Sequence, residues 1–213
     1  MKVEILTLAM AALLSAMLVS CEKDSERIVS NEEDDSRTAK QDCIDMLVES
    51  LYSEDIEEYA EVLLEPGTSG DYPEGYIWYN QTEDIRSGAV ADTFLTFEED
   101  TAMIKEVLLH EVGLEFMIYP SGWDSLEMFR NLPCTNCWET VRGYKIDISF
   151  DSGRHVMGDY YLRFLVGPDP SDSDKYLIYQ IEDLRVPPGK VNMKGLISED
   201  VSFGAIKGMF KKE

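Results

Sequence analysis

Basic residues are scarce: 19 Lys and Arg stand against 42 Asp and Glu, a formal charge of −23. That balance excludes nucleic-acid binding, because neutralising phosphates needs clustered Lys and Arg. The same field repels anionic lipid surfaces, and its plain consequence is solubility. Histidine is almost missing. His110 and His155 are the only two, and His110-Glu111-Val112-Gly113-Leu114 lacks the second His that a metalloprotease helix carries on the same face. Neither Gly-x-Ser-x-Gly nor a glycine-rich phosphate loop occurs, which removes serine-hydrolase and P-loop nucleotide chemistry. Long apolar runs are absent with one exception, Ile5 to Val19, which is too short and too abruptly ended to span a bilayer comfortably.

That run follows Met1-Lys2-Val3-Glu4 and has the length of a signal-peptide core. It closes on Leu18-Val19-Ser20-Cys21, which resembles the lipobox of bacterial lipoproteins: an aliphatic residue, a tolerant position, a small residue, then cysteine. The resemblance implies cleavage before Cys21 and lipidation of its thiol. Each buried methylene of an acyl chain adds about 0.8 kcal/mol, so several chains anchor firmly where one does not. Residues 1–20 are then a signal peptide. After Cys21 the chain reads Glu22-Lys23-Asp24-Ser25-Glu26-Arg27 and then Glu32-Glu33-Asp34-Asp35, with little to bury, which predicts an acidic flexible tether over 21–37. An acidic stretch just after the lipidated cysteine also resembles the surface-export signal of lipoproteins of the Bacteroidetes. The expected address is therefore the outer membrane, lipid-anchored, facing the cell surface or the periplasm.

Residues 38–213 have the length of one domain, with no internal repeat. Ile44, Leu47, Val48, Leu51, Tyr59, Leu63 and Leu64 fall at helical spacing and predict a helix pair between Asp42 and Leu64, broken near Ser53 and stopped at Pro66-Gly67. Tyr76 to Tyr79 predicts a short strand, and Glu98 to Glu111 a helix ended by Gly113. Strands are expected over Leu114–Tyr119, Thr140–Phe150, Tyr160–Val166 and Tyr176–Leu184. Gly167 to Asp174 reads as the loop of a hairpin. A short helix, capped by Ser202 and built on Phe203, Ile206 and Phe210, follows the linker Val186-Pro187-Pro188-Gly189.

Helices leading into a long antiparallel sheet, closed by Tyr176-Leu177-Ile178-Tyr179-Gln180-Ile181-Glu182-Asp183-Leu184, resemble the cystatin-like α+β fold of the NTF2-like superfamily, over about Asp42 to Leu184. The resemblance implies N-terminal helices packed on a curved antiparallel sheet, forming a cone that serves as active site, ligand pocket or packed core, and a homodimer through the open sheet face. Ser121 to Cys137 departs from that pattern and is read as an inserted short helix with a cysteine pair.

With Cys21 lipidated, Cys43, Cys134 and Cys137 remain. In an oxidising compartment the expectation is a local Cys134–Cys137 disulfide or a bridge from one of them to Cys43. The Cys-x-x-Cys lacks the strand-then-helix context of a redox centre, and no second pair or nearby His completes a zinc site. Asp169, Asp172 and Asp174 read as a solvated loop, since the bidentate Glu of a calcium loop is missing where Gln180 stands. Tyr72, Tyr76, Trp78, Tyr79, Trp123 and Trp138 are the residues that would stack on a sugar face, but strand alternation favours core packing for them. Acid–base chemistry in a cone needs an apolar cavity holding a carboxylate of raised pKa. Asp147 and Asp183 lie on expected strands, with nothing to orient them inward. No catalytic, cofactor or metal site emerges. The sequence reading is a cell-envelope lipoprotein whose domain binds a small molecule, glycan or protein, with a small-molecule isomerase or dehydratase using the cone as the alternative.

Overall fold

A computed structural model describes residues 31–88, 91–185 and 202–210, with their side chains from Ala39 onward apart from Glu83 and Ser87. Contacts cluster within Ser36–Glu213, which holds an α+β arrangement of helices against one seven-stranded, unclosed sheet. Helix α1 spans Asn31–Tyr52 and α2 spans Ile56–Glu61. Strand β1 (Ile77–Tyr79) is followed by α3 (Thr82–Ser87), β2 (Phe94–Thr96) and α4 (Phe97–His110). Then come β3 (Glu111–Ile118), β4 (Asp124–Phe129), β5 (Leu132–Phe150), β6 (His155–Asp169) and β7 (Asp172–Leu184), and finally α5 (Phe203–Gly208). The strand order is β2-β1-β7-β6-β5-β3, with β4 also paired to β5. All pairings are antiparallel except β1 against β7.

The long strand β5 organises the sheet. Its second half alternates strictly, burying Tyr144, Ile146, Ile148 and Phe150 while Lys145, Asp147 and Ser149 face outward. β3 pairs with that half, and β4 pairs with the first half along the same edge. The helices cover the inward face: α1 buries Ile44, Leu47 and Leu51, and α4 buries Met103, Ile104, Val107 and Leu108. A capping box starts α4, with the Thr96 hydroxyl accepting from Glu99 N and the Glu99 carboxylate accepting from Thr96 N at 3.0 Å.

Several boundaries differ from the sequence expectation. α1 begins at Asn31, inside the stretch read as a tether, since Glu, Arg, Ala and Lys propagate a helix well once its packed half is formed. The second helix is capped by Asp55, whose Oδ1 accepts from Glu57 N at 2.9 Å and Glu58 N at 3.1 Å, so the break expected near Ser53 ends two residues later. No helix lies in 121–137. Instead β4 and β5 form a hairpin whose two-residue turn holds Arg130 and Asn131 at φ 49° and 66°, the conformation of a type I′ turn. Arg130 is held there by hydrogen bonds to Glu74, Gly75 O and Tyr179 O. The expected loop 167–174 is mostly strand, leaving only Pro170 and Ser171 between β6 and β7. α4 stops at His110 and β3 follows at once, without waiting for Gly113.

Candidate functional site

The concave space between helices and sheet is filled by α5. Ser202 caps it, its hydroxyl accepting from Ala205 N at 3.0 Å and meeting Asp84 Oδ2. Phe203, Ala205, Ile206 and Lys207 are all buried, and Lys207 is fully enclosed. With Phe203 inward, the 3.6-residue period brings Ile206 and Lys207 onto the same face. The amphipathic lysine thus carries its ammonium into the interior instead of snorkelling outward.

Two polar clusters meet this helix. In the first, Asp183 on β7 accepts from Gln81 Nε2 at 2.9 Å, Gly204 N at 2.9 Å and Tyr144 Oη at 3.3 Å. Tyr144 Oη in turn accepts from Phe203 N at 2.9 Å. Burial pushes the Asp183 carboxyl up to about 6, against the opposing pull of the Gly204 N–H and Gln81. The Tyr144 hydroxyl is pushed far up by the same burial and then by the neighbouring carboxylate. In the second cluster Asp100 on α4 accepts from Tyr59 Oη at 2.7 Å and pairs with Lys207 Nζ, both partners fully buried. Burial lowers the Lys207 pKa, and Asp100 opposes that shift. The Lys207 ammonium also lies 3.2 Å from the centre of the Trp78 ring, which donates its own N–H to Asn80 Oδ1 at 3.0 Å. Tyr76 Oη lies beside Asp100 and Tyr59, and burial first, then the Asp100 carboxylate, pushes its hydroxyl far up.

A backbone detail makes this docking fit. A Cβ on Gly204 would lie 2.5 Å from Asn80 Oδ1 and 3.3 Å from Asp183 Oδ2, so only glycine lets the first turn of α5 approach the two clusters.

The fold can be compared with solved structures on this geometry. A Streptomyces avermitilis protein of the NTF2-like family, provisionally named a dehydratase, superposes with a TM-score of 0.53 at 10% identity, covering 72% of this chain and 99% of that one. The fold is NTF2-like. A provisionally named aromatic ring hydroxylase from Novosphingobium aromaticivorans gives a TM-score of 0.50 at 11% identity, over 72% of this chain and 90% of its own. No protein-family model and no curated protein sequence matches the chain.

Within the NTF2-like cone, the two carboxylates singled out from sequence separate. Asp183 is buried and central, whereas Asp147 faces outward on β5 and meets His155 Nε2 at 2.6 Å, both half-exposed or nearly so. His110 lies at the end of α4, 3.1 Å from Asp151 and stacked on Phe210. Asp100 and Lys207 were not foreseen. The aromatic set divides as well: Tyr72, Tyr76 and Trp78 are core residues, while Trp138 and Trp123 lie under cations, with Lys40 Nζ 3.3 Å from the Trp138 ring centre and Arg142 5.1 Å from that of Trp123. These contacts clamp the β4–β5 extension onto α1.

Cys134 and Cys137 are joined by a disulfide at the start of β5. Cys43 is buried in α1, and burial pushes its thiol up to about 12, which removes it as a nucleophile at neutral pH. Cys21 lies outside the described residues. No cluster of metal-ligating side chains occurs among the described residues. A surface cleft of about 610 Å³ is lined by residues that include Glu61, Phe97 and Asp169, and another of about 410 Å³ by residues that include Asp42, Met46 and Lys175. Neither reaches Asp100, Asp183 or Lys207.

Proposed function

We propose that the chain is an envelope lipoprotein, anchored through Cys21, whose NTF2-like domain is a non-catalytic binding module. The observation that supports the non-catalytic part is the occupancy of the cone. Every carboxylate oxygen that would face a substrate there is engaged by the chain itself: Asp183 by Gln81, Tyr144 and Gly204, and Asp100 by Tyr59 and Lys207. A general base needs reach to a substrate proton, and α5 stands in that path. The address rests on the Leu18-Val19-Ser20-Cys21 motif. Cys21→Ala in a bacterial host, followed by labelling with an alkyne fatty acid, tests it: label in the wild type and none in the variant is the expected result, and label in neither would remove the anchor.

A second reading has its own support. Asp183, poised near 6 beside the Tyr144 hydroxyl, is a base and a donor of the kind that an isomerase or dehydratase uses. It requires α5 to leave the cone. Turnover of an enolisable ketone or a β-hydroxy carbonyl compound, lost in Asp183→Asn, would favour it over the binding reading.

A further inference from the structure

The ammonium of Lys207 occupies a place that is complete without it. Tyr59 comes from α2, Trp78 from β1 and Asp100 from α4, so the carboxylate, its supporting hydroxyl and the aromatic face all belong to the wall of the cone. Tyr76, immediately before β1, adds a second fully buried hydroxyl beside Asp100 and Tyr59. A buried carboxylate facing a tryptophan ring is chemistry for holding an organic cation, through ion pairing and the ring quadrupole together.

We propose that the floor of the cone is a recognition site for a primary alkylammonium group, filled in this structure by the chain's own Lys207, so that α5 and an external amine compete for it. The helix is suited to exchange: it is one short element, docked through Phe203, Ile206, Lys207 and two backbone N–H groups, and its approach depends on the missing side chain of Gly204. The alkyl stem of the ligand would lie where Phe203 and Ile206 now pack, which calls for an amine with an apolar body. This inference deepens the binding reading by naming a ligand class for the cone. It is independent of the lipid anchor and does not require turnover.

Two measurements on the full chain test it. Lys207→Ala keeps Cβ and removes what n-propylammonium resembles. It should lower the melting temperature by roughly 10 °C, the scale expected when one member of a buried pair is lost. Tens of millimolar n-propylammonium chloride should restore at least half of that, whereas propan-1-ol and sodium chloride restore none. Equal rescue by propan-1-ol would show a plain apolar hole, and no rescue by either would show that the site does not select an ammonium; both outcomes overturn the proposal. The second measurement follows the Trp78 indole N–H by NMR during titration with n-hexylammonium. Gly204→Val, which crowds α5 out, should bind at least tenfold more tightly than the wild type. Equal affinity in the two proteins, or no shift of the Trp78 signal in either, would mean that α5 and the amine do not compete. A retained alkyne-lipid label with failed amine binding would sink this inference and leave the envelope-lipoprotein reading standing.

Discussion

At the scale of single residues the cone is defined by ionisable groups held away from water. Asp183 has an ordinary value of 3.8 and is raised to about 6, mainly by burial. The folded state therefore binds this proton more tightly than the unfolded chain does. Below 3.8 both states are protonated and the group is neutral in its effect. As pH rises through about 6, the folded state bears the full penalty of ionising a buried carboxyl, about 3 kcal/mol for two pH units. Asp183→Asn should flatten this part of the stability profile between pH 4 and 6.5. Urea unfolding across that range checks it, and an unchanged slope would show that Asp183 ionises freely. Asp100 and Lys207 act as a pair. Asp100→Leu and Lys207→Met should each cost about 3–5 kcal/mol, because each leaves the other charge buried alone. The double variant should fall short of the sum by at least 1 kcal/mol. Strict additivity in chemical denaturation would show that the two side chains are not coupled.

These residues were legible to different degrees. Asp183 follows Ile181 by two along β7 and shares its buried face, but Ile178 and Tyr179 are buried too, so strand alternation names no single inward face there. Asp147 sits between Ile146 and Ile148, which points it outward by the same rule. Asp100 is three and four residues ahead of Met103 and Ile104, so it lies on the apolar stripe of α4. What sequence pattern does not supply is that a helix more than a hundred residues later brings the matching cation, since that depends on where the chain returns.

At the scale of elements, the expectation of helices followed by an antiparallel sheet describes the fold, and the miss at 167–174 comes from residues of turn chemistry that serve packing instead. Gly167 and Pro168 read as a loop, yet they continue β6. A Cβ on Gly167 would lie 2.8 Å from the Tyr179 ring, whose hydroxyl donates to Pro168 O at 2.7 Å. Gly167→Ala should therefore destabilise by about 1–3 kcal/mol through overpacking, where a loop glycine would tolerate the change. Thermal unfolding distinguishes the two. The opposite error affects 121–137. The β4–β5 turn carries no glycine, so the usual hairpin signal is missing, and Pro133 reads as a strand breaker. Arg130 accepts the left-handed conformation because three hydrogen bonds hold its guanidinium.

At the scale of the whole molecule, the proposed address is motivated by the Leu18-Val19-Ser20-Cys21 motif, and the proposed role by the filled cone. A general base acts only on a substrate it can reach, and α5 occupies the cone beside Asp183, which is what motivates the proposal of recognition over turnover. The central claim is that α5 fills the cone in solution as a separable unit. Native-state hydrogen exchange of the Gly204 amide, which donates to Asp183 at 2.9 Å, tests it most directly. The account predicts exchange at least a hundredfold slower than in the unfolded chain, yet faster than that of Ile148 in the centre of the sheet, because a docked helix opens without global unfolding. Exchange of Gly204 at the rate of the unfolded chain would contradict it and leave the cone open.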